Sequence, residues 1–445
     1  MPTQHLHLNA FLMEAGHHEA SWRLPDTDAG AALDVDHYVR LAQIAEAAAF
    51  DSVFLADGSV TIGTGEFRAS GQLEPLTILT AIAAATRRIG LIATASTTYN
   101  EPYALARRFA SLDHVSKGRA GWNIVTSATQ EEAANFSLTE RPSQATRYER
   151  ADEFLEVATK LWDSWGDAHF VGDKERGRWG DPAHLRRLDH VGTHFRVAGP
   201  LNVPRPVQGY PLLVQAGASE QGKAFAAKHA EAIFVAHQTL EQGQAFYADL
   251  KARAVAAGRN PDHVLVLPGM VPIIGATDAE ATAKAQQLDD LRVPEYGLRQ
   301  LATILEVDEE TLDLDAPLPR AIVEQEVRDG FDSRARLVIS LAQAENLTVR
   351  QLLGRLGGGR GHHVVIGTPE HVAEQMETWF TQGAADGFNV MGASLPSGLE
   401  TFVETVVPIL RERGLFRNEY EGTTLREHYG LPRPVNQFEV EVAGV

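Results

Sequence analysis

Short apolar runs alternate along this chain with longer segments whose apolar residues recur at helical spacing. Residues 5–12 (HLHLNAFL) have the length and pattern of a strand, and 36–50 (DHYVRLAQIAEAAAF), Ala-rich and apolar every three to four positions, reads as a helix. The alternation continues with a strand at 52–57 and a helix at 75–87, where Pro75 occupies the first turn and its missing N–H costs nothing. A strand at 89–95 precedes a helix at 102–115, stopped by Lys117-Gly118-Arg119. Strands at 120–126, 211–217 and 232–236 are followed by helices at 145–165, 220–229 and 240–257. A seventh strand lies within 264–275, and an eighth, at 388–391, leads into a helix at 399–413. A strand after every helix predicts a parallel sheet. Eight such units in series predict an α/β chain closed into a (β/α)8 TIM barrel.

The 445 residues exceed the roughly 250 of a bare barrel. The surplus falls near 58–74, 167–210 and 276–363, so the expectation is one barrel domain over 1–445 with long loop insertions. The last insertion holds helical pieces and then a Gly-rich loop at 354–363 (GRLGGGRGHH), expected to act as a mobile lid. The tail, 418–445, is polar and Pro-punctuated, and is expected to wrap the surface or a neighbouring subunit.

Composition narrows the chemistry. Lys plus Arg number 40 and Asp plus Glu 59, a formal charge of −19, which argues against nucleic acid or an anionic membrane as partner. There is no cysteine, which excludes disulfides, thiolate nucleophiles and Cys-ligated metal. The N-terminus shows no basic region followed by an apolar core, and the longest uncharged apolar stretch, 264–277, is too short to span a bilayer, which takes about 20 residues. A soluble, cytoplasmic protein is expected.

In such barrels the reactive groups sit at the C-terminal ends of the strands. Those ends carry Asp57, then Thr94 and Ser96, then Asn123, then Gly217-Ala218-Ser219. The set consists of hydroxyls, amides and glycines with one carboxylate. It lacks the paired acids of a glycosidase and a His/Asp metal cluster, and it suits a large polar cofactor that brings its own chemistry. Ser219 stands where a strand hands over to a helix. It reads equally as a plain helix cap or as part of an anion site at a helix N-terminus. His17 and His18, in the first strand–helix loop, are candidates to orient substrate or to donate a proton. His362 and His363 have no third ligand spaced with them, so no metal is expected.

Four longer segments carry a resemblance: 93–128, which contains AGWNIVTS, 135–138 (NFSL), 147–165 (RYERADEFLEVATKLWDSW) and 214–234, which opens VQAGAS. With GHHEASWR at 16–23, IGTPE at 366–370 and ADGFN at 385–389, they resemble the bacterial-luciferase-like flavin-dependent monooxygenases. Within these, the chain is similar to the group of nitrilotriacetate monooxygenase component A, dibenzothiophene-sulfone monooxygenase and the pristinamycin synthase large subunit. The resemblance implies FMN, bound as FMNH2 and supplied by a separate NAD(P)H:FMN reductase. It implies that O2 adds to the reduced flavin as a C4a-peroxide, which inserts one oxygen atom into a small organic substrate. It further implies a homodimer or homotetramer. Asp57 matches the family's flavin-site acid, Thr94, Ser96 and Asn123 the ring-facing positions, and Tyr148 and Ser219 the phosphate positions, with Gly217 in the turn before Ser219 a further cofactor-binding candidate. Gln144 stands where relatives often carry His, which leaves it a hydrogen-bonding role. No Gly-rich dinucleotide fingerprint follows the first strand, in keeping with a separate reductase. Two other readings share these features, a deazaflavin-dependent oxidoreductase of the same fold and a flavin-binding protein without catalysis.

Overall fold

The computed structural model describes residues 5–61, 65–69, 71–325, 333–359 and 361–440. Small parts of the 58–74 and 276–363 insertions, and the last five residues of the tail, lie outside this set. Eight parallel strands form the barrel: β1 (His7–Phe11), β2 (Ser52–Leu55), β3 (Gly90–Ser96), β4 (Ala120–Val125), β5 (Leu212–Ala216), β6 (Ala232–Val235), β7 (Leu265–Ile274) and β8 (Gly387–Val390). Each pairs with its chain neighbour, except that β7 pairs with both β6 and β8, and β8 closes onto β1. The strands are almost wholly buried because both faces are covered, which is why they read as continuous apolar runs rather than alternating ones.

Alternation shows instead in which core each side chain joins. Leu8, Val53, Leu91 and Trp122 point outward to the helices, whereas Phe11, Phe54, Ile92 and Val214 fill the barrel interior. Helix boundaries follow local chemistry. Helix Pro75–Ala85 starts on Glu74, whose carboxylate accepts from the amides of Leu76 and Thr77. Helix Pro102–Ser116 ends on Lys117 and Gly118, both at positive φ. The helix expected at 399–413 contains a π-turn, Phe402–Val406, before its last segment, Val407–Glu412. Pro408 has no N–H to return to Glu404, and the ladder widens there.

Three expectations are corrected. The sequence pattern assigned no strand between 276 and 386, yet His363–Gly367 pairs in parallel with Met270–Ile274, the half of β7 that overhangs β6. This extra strand raises the barrel wall, and helix Pro369–Thr381 follows it. The Gly-rich loop is also shorter than 354–363, because Gly354 lies within helix Val349–Gly357 and His363 begins the extra strand.

The third correction concerns the tail, which forms the floor of its own barrel. Leu425, fully buried, sits over Gly90 and Gly121 at the starts of β3 and β4, where any Cβ would meet its side chain. Tyr429 donates to Asn9 Oδ1 (2.6 Å) and its ring stacks on His7 (4.9 Å). Asp51, with no exposed surface, accepts from the Leu8 amide (2.8 Å), from His7 Nδ1 (3.0 Å) and from the Arg417 guanidinium. An apolar space under the strands, open until something fills it, explains why a mostly polar segment places its few large apolar residues inside.

Helices Pro294–Leu305, Ser333–Ala344 and Val349–Gly357 of the third insertion share a core of their own around Leu301, Leu305, Val338 and Leu352. They roof the C-terminal end of the barrel. The second insertion forms two exposed hairpins, one of them pairing Phe170–Asp173 with Arg178–Gly180.

Candidate active site

The strand register brings Thr94 and Asn123 side by side across β3 and β4. Asn123 donates through Nδ2 to Thr94 Oγ1 (2.8 Å), while its Oδ1 is buried with no partner among the described residues. An unsatisfied buried acceptor costs about 1–3 kcal/mol, so this oxygen calls for a donor from a bound group. Ser96 Oγ, one pleat further along β3, accepts from the Thr98 amide (3.1 Å). Beneath these groups lies an aromatic floor of Phe11, Phe54 and Phe234, with ring centres 4.9–5.5 Å apart. Phe11 and Phe54 therefore face the barrel interior, whereas Trp122 packs outward on Phe109 and Phe154.

His17 sits above Phe11, 1% exposed. Its Nε2 lies 2.9 Å from the Phe11 carbonyl, which can only accept, so Nε2 carries the proton. Burial lowers its pKa to about 3, and Nδ1 is left a bare acceptor without a described partner. The expected proton-donating role is therefore corrected: His17 is neutral at neutral pH and offers a hydrogen-bond acceptor. The loop that carries it is strapped to the segment after β8, with the His17 amide on the Gly392 carbonyl (2.9 Å) and the His18 amide on that of Ala393 (3.2 Å). Gly16 makes this possible: its φ is +135°, and a Cβ there would come within 2.3 Å of the Ala393 carbonyl oxygen. Gly16→Ala is expected to cost about 1–3 kcal/mol, read as a lower denaturation midpoint, and to displace His17.

His18 points the other way. Its Nδ1 accepts from the Ala20 amide (3.2 Å) and its Nε2 faces Asp289 (3.6 Å), at the end of helix Asp278–Asp290. Glu19 reaches Arg292 (3.0 Å) beside it. This pair of contacts fastens the first loop to the roof. His362 stacks on Phe234 (5.0 Å), while His363 stacks on Trp379 (5.1 Å), so the two neighbours diverge.

On the opposite side of the mouth, Ser219 caps helix Glu220–His229 by accepting from the Gly222 amide (3.1 Å). A Cβ at Gly222 would lie 3.1 Å from both Ser219 Oγ and Tyr148 Oη. The two hydroxyls therefore converge beside Gly222, where any side chain would crowd them. Gln144 Nε2 points to Ser219 Oγ at 3.5 Å, and Gly217 forms the turn just before. The cradle has donors, a helix N-terminus and no side chain to fill it, which fits a phosphate.

Asp57 lies just past β2, half-buried, and accepts from Gln72 Nε2 (3.1 Å). Burial pushes its carboxyl above the usual range. It lines a cavity of about 550 Å3 between roof and barrel mouth. Leu301, Ile304, Val338 and Leu353 form the apolar wall of that cavity, and Ser59, Gln72 and Arg68 belong to the polar one. Arg68 is held by Glu14 (2.6 Å).

The structure thus gathers Thr94, Ser96 and Asn123 in one group and Gln144, Tyr148, Gly217 and Ser219 in another. Asp57 lines the roofed cavity, His17 lies between floor and mouth, and His18 turns away. Three further residues bear on the site and drew no such notice in the sequence: Phe234, Arg68 and the roof residue Leu301. Phe234 was visible as an interior position of β6. Nothing local marked the other two.

A closed parallel barrel with a polar crown and a helical roof defines a (β/α)8 enzyme. The chain belongs to the luciferase-like monooxygenase family, whose model matches residues 15–386. It is 47% identical over 432 residues to N-acetyl-S-(2-succino)cysteine monooxygenase from Bacillus subtilis (strain 168), covering 97% of this chain and 98% of that one. It is 45% identical over 447 residues to nitrilotriacetate monooxygenase component A from Aminobacter aminovorans, covering 97% of each. Among solved structures it is similar to riboflavin lyase with modified FMN and the substrate riboflavin, with a TM-score of 0.86, 32% identity and 97% of each chain covered. No helix among the described residues is long and apolar enough to cross a membrane.

Proposed function

We propose that this chain is the oxygenase component of a two-component FMNH2-dependent monooxygenase. It takes reduced flavin from a separate NAD(P)H:FMN reductase and inserts one atom of O2 into a small organic substrate, the other leaving as water. The observation that carries this reading is the pairing of a hydroxyl cradle at Ser219, Tyr148 and Gly222 with the Asn123 oxygen, unpartnered among the described residues, across the mouth. One end suits a phosphate and the other the polar edge of a ring. A relative described as a component A supports a separate reductase.

When bound, reduced flavin supplies the electrons that activate O2. The chain's own residues do the rest. Ser219, Tyr148 and Gln144 bind and orient the phosphate end, and Thr94, Ser96 and Asn123 fix the ring by hydrogen bonds. The aromatic floor and the roof keep water from the reacting centre. His17 Nδ1 accepts a hydrogen bond there and stays neutral while doing so. Asp57, at the edge of the roofed cavity, binds the flavin, and the cavity holds the substrate.

Turnover with NADH, any flavin reductase, FMN and 18O2 across a panel of candidate substrates tests the reading. One labelled oxygen in the product, dependent on FMN, is expected. Unlabelled product, or turnover that needs a deazaflavin and ignores FMN, would overturn it.

A further inference from the structure

The roof joins the barrel through two connections. On the outward side, helix Asp278–Asp290 belongs to the barrel: Leu288 packs with Val271 and Ile273 of β7, and Lys284 Nζ donates to the Ile274 carbonyl (2.9 Å). Helix Pro294–Leu305 belongs to the roof, whose core is drawn, among the described residues, from 298–356 alone. Residues 291–293 are therefore the outward hinge. On the return side, Gly358 and Gly359 follow the last roof helix, Val349–Gly357, and lead toward the extra strand at His363. One barrel loop meets both connections. The Arg23 guanidinium donates to the Leu291 carbonyl, Glu19 Oε1 accepts from Arg292 Nε (3.0 Å), and His18 Nε2 faces Asp289 (3.6 Å). Arg292 is also pinned from its own side, with Nη1 on Asp289 Oδ1 (3.1 Å). At the return connection, a Cβ at Gly358 would lie 3.5 Å from His18 Cδ2, and one at Gly354, a turn earlier, 3.8 Å from Arg292 Nη1. Both ends of the roof thus rest against His18 and Arg292.

Little else holds the roof down over the mouth. Tyr296 and Gly297, in the first turn past the outward hinge, line the cavity together with Leu301. Side chains that border an open space forfeit the dispersion contacts that would otherwise glue the two bodies together. The closed position therefore depends on contacts at the edge, and the chain places its charges there. Glu19 and Arg292 are largely shielded from water, their side chains 13% and 15% exposed. Desolvation offsets much of the attraction in such a pair, yet breaking it from one side is costly because the other charge stays behind. The same loop starts with Gly16 and His17, whose amides and carbonyls are strapped to the segment after β8. Only one residue separates His17 from Glu19, so the hinge and the histidine at the reacting end share one short span of backbone.

We propose that Glu19 and Arg292 are positioning residues for oxygen transfer: with His18 and Arg23 they clamp both hinges and hold the roof closed over the cavity. This rests on the flavin reading above. The reaction they protect fails in one balanced way. Reduced flavin passes two electrons and two protons to O2, oxidised flavin and H2O2 leave, and no oxygen atom reaches the substrate. A loosened clamp admits water and favours that leak, while the groups that bind flavin stay in place.

The test has a ligand-free arm and a flavin arm, both on the full chain. In native-state hydrogen exchange without ligand, Arg292→Met is expected to speed exchange across 294–305 and 349–357 by about 10- to 100-fold, the range for losing a hydrogen bond to a charged group. The amides of the eight strands keep their wild-type rates. Glu19→Gln behaves alike, and the double variant opens the roof no further than either single one, because both remove the same contact. Arg292→Lys keeps the charge and restores part of the protection. In the second arm the chain, in excess over dithionite-reduced FMN, is mixed with oxygenated buffer and H2O2 is followed with a peroxidase dye. Arg292→Met is expected to release H2O2 faster by the factor seen in exchange, with FMN affinity within about twofold of wild type, as for a distant site. Roof amides that keep wild-type rates, strand amides that speed up in parallel, singles that add in the double variant, or unchanged H2O2 release each overturn the inference. If Arg292→Met does not fold, Glu19→Gln and Arg292→Lys decide by the same readouts. Unaltered roof exchange sinks the clamp and spares the flavin reading, whereas wild type that binds no FMN sinks both.

Discussion

Arg417→Met is expected to lower the unfolding free energy by about 3–5 kcal/mol, the cost of breaking a buried ion pair from one side. The variant leaves Asp51, fully buried, with only His7 Nδ1 and the Leu8 amide to hold its charge. In the intact protein burial pushes the Asp51 carboxyl up, but Arg417 and then His7 outweigh it and hold its pKa at about 2, below the ordinary 3.8. A depressed carboxylate stabilises the fold above its unfolded pKa, and that contribution is lost as pH falls through about 2. Without Arg417 burial dominates, the carboxyl rises, and acid unfolding moves to higher pH. Denaturant midpoints measured across pH, with Asp51→Asn in both backgrounds, check the coupling. A variant pair whose effects simply add would mean that the contact contributes nothing.

The combined change Ser219→Ala and Tyr148→Phe is expected to weaken flavin binding about 100-fold or more, since hydrogen bonds to charged groups contribute about 1.5–3 kcal/mol each. Both hydroxyls approach Gly222, whose amide donates to Ser219 Oγ, so their loss leaves that amide as the one donor there. Ser219→Ala also removes a helix cap, about 1 kcal/mol of stability. Tyr148→Phe does not, so that single variant separates binding from folding. Unchanged affinity in the double variant removes the cradle from the site.

Much of this was legible in the chain itself. Parallel strands buried on both faces announce themselves as apolar runs, and once eight are aligned in series their polar ends name Thr94, Asn123 and Ser219. The phosphate positions on helix Gln144–Asp163 were legible only through the family resemblance, because Tyr148 is an ordinary helix residue until Gly222 is seen opposite it. What stayed hidden depended on distant partners. The strand His363–Gly367 exists because β7 overhangs β6 by half its length, and no property of HVVIG records that. His17 read as a candidate to orient substrate or donate a proton; its burial against Phe11 decides its proton, and burial is a property of the assembled mouth.

The floor of the barrel is built from residues made only after all eight strands. Leu425 and Tyr429 follow the eighth strand by more than thirty positions. On the ribosome, all eight strands are therefore complete and able to pair while the interior beneath Gly90 and Gly121 still lies open to water. Closure waits for Leu425 and Tyr429, and His7, at the start of β1, then stacks on Tyr429. A chain stopped just before Leu425 keeps all eight strands but leaves the barrel unsealed, so closure depends on a segment that no strand contains.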